Sequence, residues 1–420
     1  MSCFSAFCRP LRVIPILFCG LAFLLILFLF SHRSLLGSPT HSFRPSPSRE
    51  VRGTRIKTFQ NGIQPPNENS SAPVVSEDPG LSDVRPGRKL LPRKNMEVCK
   101  PIHGRITVFT AMDQASVDVR YGFAQRSLEC YLASTNYTFV QVNLDQDELV
   151  NRHCNHKTAY FKKHCAAAVY LKHTDWMLVL DADTAVVNPN HCIEEYIDDR
   201  VDMVFYERFF NWEIACGNYI IRNSEQSRRF LMEYANMESE PYKPGTWLGF
   251  DNGPLQILIL KHVMPYAKHI TEICSNLWHK STSYEEYTAY LLCVKMALGE
   301  QRIWPGKLRI MKRAHGWVRD GWATSDFWTD NDFMLHGWKV HDLKSAPELP
   351  FTEDFIVSEC GRGYSGWHYN LEKKKSSEEI RKMLAGFERE MQNSHPKEGR
   401  TPYFLTGPDV GDCYPHCEDF

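Results

Sequence analysis

Two carboxylates one residue apart, Asp181 and Asp183, end the apolar run Trp176-Met177-Leu178-Val179-Leu180 and lead into Thr184-Ala185-Val186-Val187. Fully buried strands read as continuous apolar runs, and open α/β sheets bind ligands just beyond the carboxyl ends of their strands. An Asp pair delivered to such an edge can hold a hard divalent cation, which in turn can neutralise a diphosphate. A bare Asp-x-Asp is common by chance, so this chemistry needs partners elsewhere in the chain. Asp332-Phe333-Met334-Leu335-His336-Gly337-Trp338-Lys339 supplies an apolar run that ends in an imidazole, a glycine and a cation. A lone His is more often structural, but here His336 suits a third metal ligand and Lys339 suits the phosphates. Gly217 and Asn218 either allow close backbone approach to a ligand or simply turn the chain. Asp251 and Asn252 open an apolar helical stretch at 255–260, where Asp251 reads first as an N-cap.

These groups must be carried by strands and helices in alternation. Residues 105–111 read as a strand, 124–133 as a helix, 137–142 as a strand, 159–171 as a helix and 176–180 as the strand that ends at the Asp pair. Such alternation predicts an α/β domain whose mostly parallel sheet has right-handed crossovers and helices on both faces. A further strand at 201–207 and a helix at 225–237 follow. One large domain is expected over 99–345, with a Cys-containing extension over 346–420. Aromatic residues Trp247, Trp317, Trp322, Phe327 and Trp328, several interleaved with Asp320, Asp326, Asp330 and Asp332, suggest an acceptor loop, although tryptophans are more often core.

The amino-terminal third is of another kind. After a head at 1–12 that carries Arg9 and Arg12, residues 13–30 form an 18-residue uncharged stretch, long enough for a membrane span. The positive-inside bias keeps the head cytosolic and puts the bulk of the chain in the lumen, a type II topology. A cleaved signal peptide would have a shorter apolar core before small residues. Residues 31–98, rich in Pro, Ser, Arg and Asn, read as a flexible stem that cannot bury enough apolar area to offset its ordering entropy.

Three of the 14 cysteines precede residue 20, leaving 11 from Cys99 onward, an odd number. In an oxidising lumen most should pair, with one left for a free thiol or a disulfide-linked homodimer. Cys154 and Cys165, flanked by His153, His156 and His164, lack the paired spacing of a zinc site and read as a disulfide. Cys413 and Cys417 suggest a stapled tail. Asn69 and Asn136 head Asn-x-Ser/Thr glycosylation acceptors. A net charge of -1, without a basic motif, argues against nucleic acid as a partner.

The strand with Asp181 and Asp183, the Gly217-Asn218-Tyr219-Ile220-Ile221-Arg222-Asn223-Ser224 segment, the Asp251-Asn252-Gly253-Pro254-Leu255 helix start and His336-Gly337-Trp338-Lys339 together resemble the GT-A glycosyltransferases. They are most similar to the galactosyl- and mannosyltransferases of glycosyltransferase family 34, and more closely to a nematode group of type II membrane proteins. The resemblance implies retaining hexosyl transfer from a nucleotide sugar, UDP-sugar ahead of GDP-mannose, to a glycan, glycoprotein or glycolipid acceptor. It implies Mn2+ or Mg2+ as cofactor, in the Golgi membrane ahead of the endoplasmic reticulum. By the same resemblance Asp183 and His336 bind metal, Asp181 binds metal and ribose, Lys163 lies near the nucleotide, and Asp251 or Asn252 lies beside the reacting carbon. Asn252 stands where that family commonly has Gln. An inactive lumenal carbohydrate-binding or scaffold protein would keep the fold without needing Asp181, Asp183 and His336 together.

Overall fold

A computed structural model describes residues 54–58, 99–117, 119–394, 409–415 and 417. The expected cytosolic head, the span at 13–30, Asn69 and most of the stem lie outside these residues. Among the described residues no helix is long and apolar enough to cross a membrane.

The main sheet has eight strands: β1 (Thr54–Thr58), β2 (Ile106–Met112), β3 (Thr138–Asn143), β4 (Trp176–Leu180), β6 (Met203–Tyr206), β7 (Tyr219–Arg222), β8 (Ile303–Trp304) and β9 (Leu308–Met311). Their order is β1-β3-β2-β4-β7-β6-β9-β8. Strands β2, β3, β4, β6 and β9 run one way, and β1, β7 and β8 run against them. The parallel block β3-β2-β4 is the one expected from the alternating pattern, with the helices Gly122–Leu132 and Ala159–Tyr170 as its crossovers. The strand β1 corrects the reading of 31–98 as wholly stem. Thr54–Thr58 pairs antiparallel with β3 from Thr54↔Val142 to Thr58↔Thr138, so backbone hydrogen bonds cover an edge that composition alone leaves open.

Alternate side chains of β4 reach two cores. Met177 and Val179 join Phe161, Tyr219, Leu255 and Leu258 on one face, whereas Trp176, Leu178 and Leu180 join Phe123, Leu128 and Ile220 on the other. The first face is roofed by helices Ala159–Tyr170, Glu225–Asn236, Asn252–Val263 and Tyr284–Leu298. The second is covered by the helix Gly122–Leu132 and a small sheet of order β10-β11-β5, from Val318–Asp320, Met334–His336 and Thr184–Val186.

The expected boundary at 345 is not a structural one. Leu349, Phe351, Phe355 and Trp367 are buried in the second core, and Cys360 is disulfide-bonded to Cys130 on the first crossover helix. The apolar residues of 346–367 complete the domain instead of extending it. Disulfides also join Cys99 to Cys192, Cys154 to Cys165, Cys274 to Cys293 and Cys413 to Cys417, while Cys216 is free and buried. The odd thiol of the body is thus inside the protein, which removes it as the bridge of a covalent homodimer.

Candidate active site

The small sheet determines where the site assembles. Strand β4 ends at Leu180, the chain turns through Asp181-Ala182-Asp183, and β5 leaves the main sheet to pair antiparallel with β11. In that register His336 lies opposite Thr184, and in the parallel pairing of β10 with β11 it lies opposite Asp320. Gly337, at φ 114, then lets the chain bend so that the N–H groups of Gly337 and Trp338 both donate to the Asp183 carbonyl, at 3.1 and 3.0 Å. Residues about 150 positions apart in sequence are locked together by backbone hydrogen bonds.

The result is a cleft of about 460 Å³ beyond the carboxyl ends of the parallel strands, within the range of small-molecule sites. It is lined by Asp181, Asp183, Lys163, Gly217, Asn218, Asp251, Asn252, His336 and Lys339, every residue singled out from the sequence for donor, metal or catalytic duty.

At one end, ligand atoms of Asp181, Asp183 and His336 all lie within 4.8 Å of one another. His336 Nε2 is 3.3 Å from Asp183 Oδ1 and 3.7 Å from Asp181 Oδ2. Its Nδ1 is 2.8 Å from Asp320 Oδ1, and Arg208 binds the same carboxylate at 3.1 Å. A carboxylate behind a ligating imidazole orients the ring, as metal sites commonly require. Burial would push the His336 imidazole down, but Asp183, Asp181 and Asp320 override it and hold it well above its usual value. Burial likewise opposes charge on Asp181, and Lys163 and His336 overcome it, holding the carboxyl below the usual range. Asp183 Oδ2 is buried without a hydrogen-bond partner. Converging oxygen and nitrogen donors with an orphaned carboxylate oxygen fit a hard divalent ion, so these three residues could hold one. Lys339 Nζ stands 3.7 Å from Asp183 Oδ2 on a largely exposed side chain.

At the other end, Lys163 Nζ lies 2.9 Å from Asp181 Oδ1 and 2.8 Å from Asp251 Oδ2. His164 Nε2 lies 3.3 Å from the same Asp251 oxygen. Burial pushes His164 down to about 4, with Lys163 adding to burial and Asp251 opposing both. Asp251 precedes the helix Asn252–Val263, but its side chain makes no capping hydrogen bond. This corrects the N-cap reading: an ammonium and an imidazole on the neighbouring helix outcompete the backbone N–H groups for the carboxylate.

Gly217 and Asn218 serve the Asp pair directly. A Cβ on Gly217 would fall 1.6 Å from Asp181 Oδ2, so only glycine lets that carboxylate lie against the chain. Asn218 Oδ1 accepts from the Asp181 N–H at 3.0 Å and from Thr184 Oγ1 at 2.8 Å, while its Nδ2 donates to Tyr206 at 3.1 Å. The Asn218 amide is therefore engaged within the protein, bracing the turn between β4 and β5.

The acceptor loop expected from clustered tryptophans does not border this cleft. Trp317 and Trp328 are buried core residues, Trp247 is exposed away from the cleft, and Phe327 lies under Lys373 and Lys375; Trp322 and Asp326 line a small adjoining pocket of about 100 Å³ that shares His336 and Lys339 with the cleft. Their clustering reflects packing around the small sheet. The aromatic rings that do border it are Tyr121, Tyr160, Tyr206 and Phe250. Sequence reasoning also missed Arg208 and Arg120, and it placed Asp320 only in the expected acceptor loop, not behind His336. Arg319-Asp320 inside Trp317-Val318-Arg319-Asp320-Gly321 was a usable signal, because charges within an apolar strand must be paired.

Residues 128–352, just over half of the chain, match the family described as "Protein of unknown function, DUF273". The chain belongs to this family. The DUF273 match spans Asp181, Asp183, Asp251, Asp320 and His336, and so takes in both ends of the cleft. No curated protein sequence matches the chain. Among solved structures, it is similar to a glycosyltransferase involved in the glycosylation of the major capsid of PBCV-1, at 14% identity and TM-score 0.34, over 55% of this chain and 93% of that one. It is also similar to the glycosyltransferase GlyE of Streptococcus pneumoniae TIGR4, at 16% identity and TM-score 0.25, over 42% of this chain and 50% of that one.

Proposed function

We propose that this protein transfers a hexose from a nucleotide-sugar donor to a glycan or glycoconjugate acceptor. The observation that carries this reading is the convergence of Asp181, Asp183 and His336, with an Asp183 Oδ2 that accepts no hydrogen bond, within one cleft that also holds the paired Asp251. A divalent ion, Mn2+ or Mg2+, held by those three residues would neutralise the diphosphate leaving group. Lys339, 3.7 Å from Asp183, and Arg120, which also lines the cleft, meet the remaining phosphate charge. Asp251 stands across Lys163 from Asp181, where a carboxylate favours oxocarbenium character at an anomeric carbon. Lys163 keeps Asp251 ionised: burial would raise the Asp251 carboxyl, and Lys163, with a hydrogen bond from His164, holds it low.

Retention at the anomeric carbon, the preference for UDP-sugar and the link to glycosyltransferase family 34 rest on the sequence resemblance. The test is isothermal titration of the purified full chain with UDP, GDP and CMP, with and without Mn2+. Binding of UDP that requires Mn2+ is expected, and absence of Mn2+-dependent binding to any of the three would discard the reading.

A lumenal body on a type II Golgi anchor is part of the same proposal, with the endoplasmic reticulum as second choice. Five disulfides and the exposed Asn136 support it. Endoglycosidase should increase the mobility of the expressed protein, and Asn136→Gln should remove one step; an unshifted band argues against lumenal exposure.

A further inference from the structure

Two aromatic rings stand at the mouth of the cleft with no role in the account above. Tyr160 and Phe250 stack on each other with centroids 4.9 Å apart and planes at 30°, and they remain 47% and 65% exposed. Both line the cleft. Single exposed apolar side chains are ordinary, but Phe250 holds its ring outward from a left-handed backbone at φ 53. Its neighbour Gly249, at φ 67, is pinned as well, because a Cβ there would meet the Tyr287 hydroxyl at 2.5 Å. Strained backbone of this kind persists where the surroundings enforce it, commonly at ligand clamps.

Position and charge select the occupant. Phe250 is bonded to Asp251, and Tyr160 lies one helical turn before Lys163, so the pair belongs to the Asp251 end. The Lys163 ammonium there is spent on two carboxylates, at 2.9 and 2.8 Å. Lys339 lies instead beside Asp183, at 3.7 Å, and Arg120, next to Tyr121 in the chain, also lines the cleft. A polyanionic donor is therefore drawn to the Asp183 end, and the aromatic end suits a neutral ring. A sugar has an apolar C–H face for such a surface and hydroxyls at its rim. Asn252 Oδ1, buried and without a hydrogen-bond partner, offers an acceptor for one of those hydroxyls.

We propose that Tyr160 and Phe250 form the stacking platform for a neutral sugar ring of the acceptor, with Asn252 accepting from one of its hydroxyls; this rests on the transfer reading above. The platform places an acceptor hydroxyl on the Asp251 side of the donor, away from the diphosphate.

The test applies the full chain, with Mn2+ and UDP, to an array of neutral oligosaccharides ending in galactose, glucose, mannose, N-acetylglucosamine or N-acetylgalactosamine. Wild type should capture at least one class. Phe250→Asn, which tolerates the left-handed backbone, and Tyr160→Ala should weaken that capture at least tenfold, while Phe250→Tyr should keep it. Affinity for Mn2+ and UDP, measured by titration, should stay within twofold in all three variants. Equal capture by wild type and Phe250→Asn, or no capture by a wild type that binds UDP, overturns the platform alone. A tenfold loss of UDP affinity in Phe250→Asn also overturns it, by making the rings a nucleobase site. Failure of wild type to bind any nucleotide with Mn2+ overturns the transfer reading and this proposal with it.

Discussion

His164, fully buried behind Asp251, and His336, which lines the cleft, are both imidazoles beside carboxylates, and they are driven in opposite directions. Burial lowers His164 to about 4, whereas His336 is held well above its usual value despite its burial. The difference lies in the neighbours. His164 contacts Asp251, whose charge is already met by Lys163 at 2.8 Å, and its other faces meet the Tyr219 hydroxyl at 3.1 Å and the Tyr234 ring at 3.9 Å. His336 faces Asp181, Asp183 and Asp320 together. The Asp251 end is closed around Lys163, and the Asp183 end is open, its carboxylates drawing onto His336 a proton that a divalent ion would replace. Burial penalises ions at both ends, and the count of compensating charges decides which end awaits a cation.

The largest expected effect breaks the open end. Asp183→Ala should weaken Mn2+-dependent nucleotide binding by more than about 100-fold, beyond the 10–100-fold typical of residues that only orient a ligand. Without metal, its melting temperature should fall, since the buried His336 imidazole loses one of the carboxylates that hold its charge. Undiminished binding would move the metal elsewhere.

The closed end can be broken by acid. A histidine whose folded value is depressed binds its proton later in the native than in the unfolded chain, so stability falls as pH drops from 6.5 toward 4. His164 should account for up to about 3 kcal/mol of that fall. The depressed carboxyls of Asp181, Asp183 and Asp251 act lower, below the ordinary carboxylate range. Melting curves of wild type and His164→Gln across this window should therefore diverge, with wild type the more acid-sensitive. Parallel curves would count against a neutral His164.

Asp251→Asn sharpens the contrast between binding and chemistry. Turnover should fall about 100-fold, or roughly 2.7 kcal/mol, while Mn2+-nucleotide affinity changes less than about threefold. Because Asp251 pairs with Lys163 rather than capping its helix, stability should also drop by about 1–3 kcal/mol. Rates must be compared well below the melting point, and normal turnover there would leave Asp251 as a counterion only.

Asp320→Asn has the smallest expected effect. Loss of the oriented His336 should raise the Mn2+ dissociation constant about tenfold, and because Arg208 loses its charged partner stability should drop by about 1–3 kcal/mol. A loss as large as that of Asp183→Ala, accompanied by unfolding, would mean that Asp320 supports the pairing of β10 with β11 instead.

The parallel block and the Asp pair were legible because local pattern carries them. An apolar run of five residues bounded by charges is too short for a buried helix and reads as a buried strand, and Asp181 and Asp183 follow it in the chain. The Cys154–Cys165 bridge was legible for a similar reason, since its partners are 11 residues apart. Trp317 and Trp328 misled because a tryptophan's type does not say whether its ring meets solvent or core; neighbours far along the chain decide that. Asp251 was misread as an N-cap because its helix start is local, whereas Lys163 and His164 reach it from another helix.

By itself, then, the amino-acid order determined the strand, the two carboxylates at its edge and the residue types available to join them, since each follows from hydrophobic periodicity and short-range geometry. Tertiary structure alone decided that His336 meets Asp183, that Asp320 stands behind His336 and that Lys163 is shared by Asp181 and Asp251. Those pairings are set by strand register and helix packing across long sequence separations, where a slip of one residue in β11 would turn His336 to the opposite face.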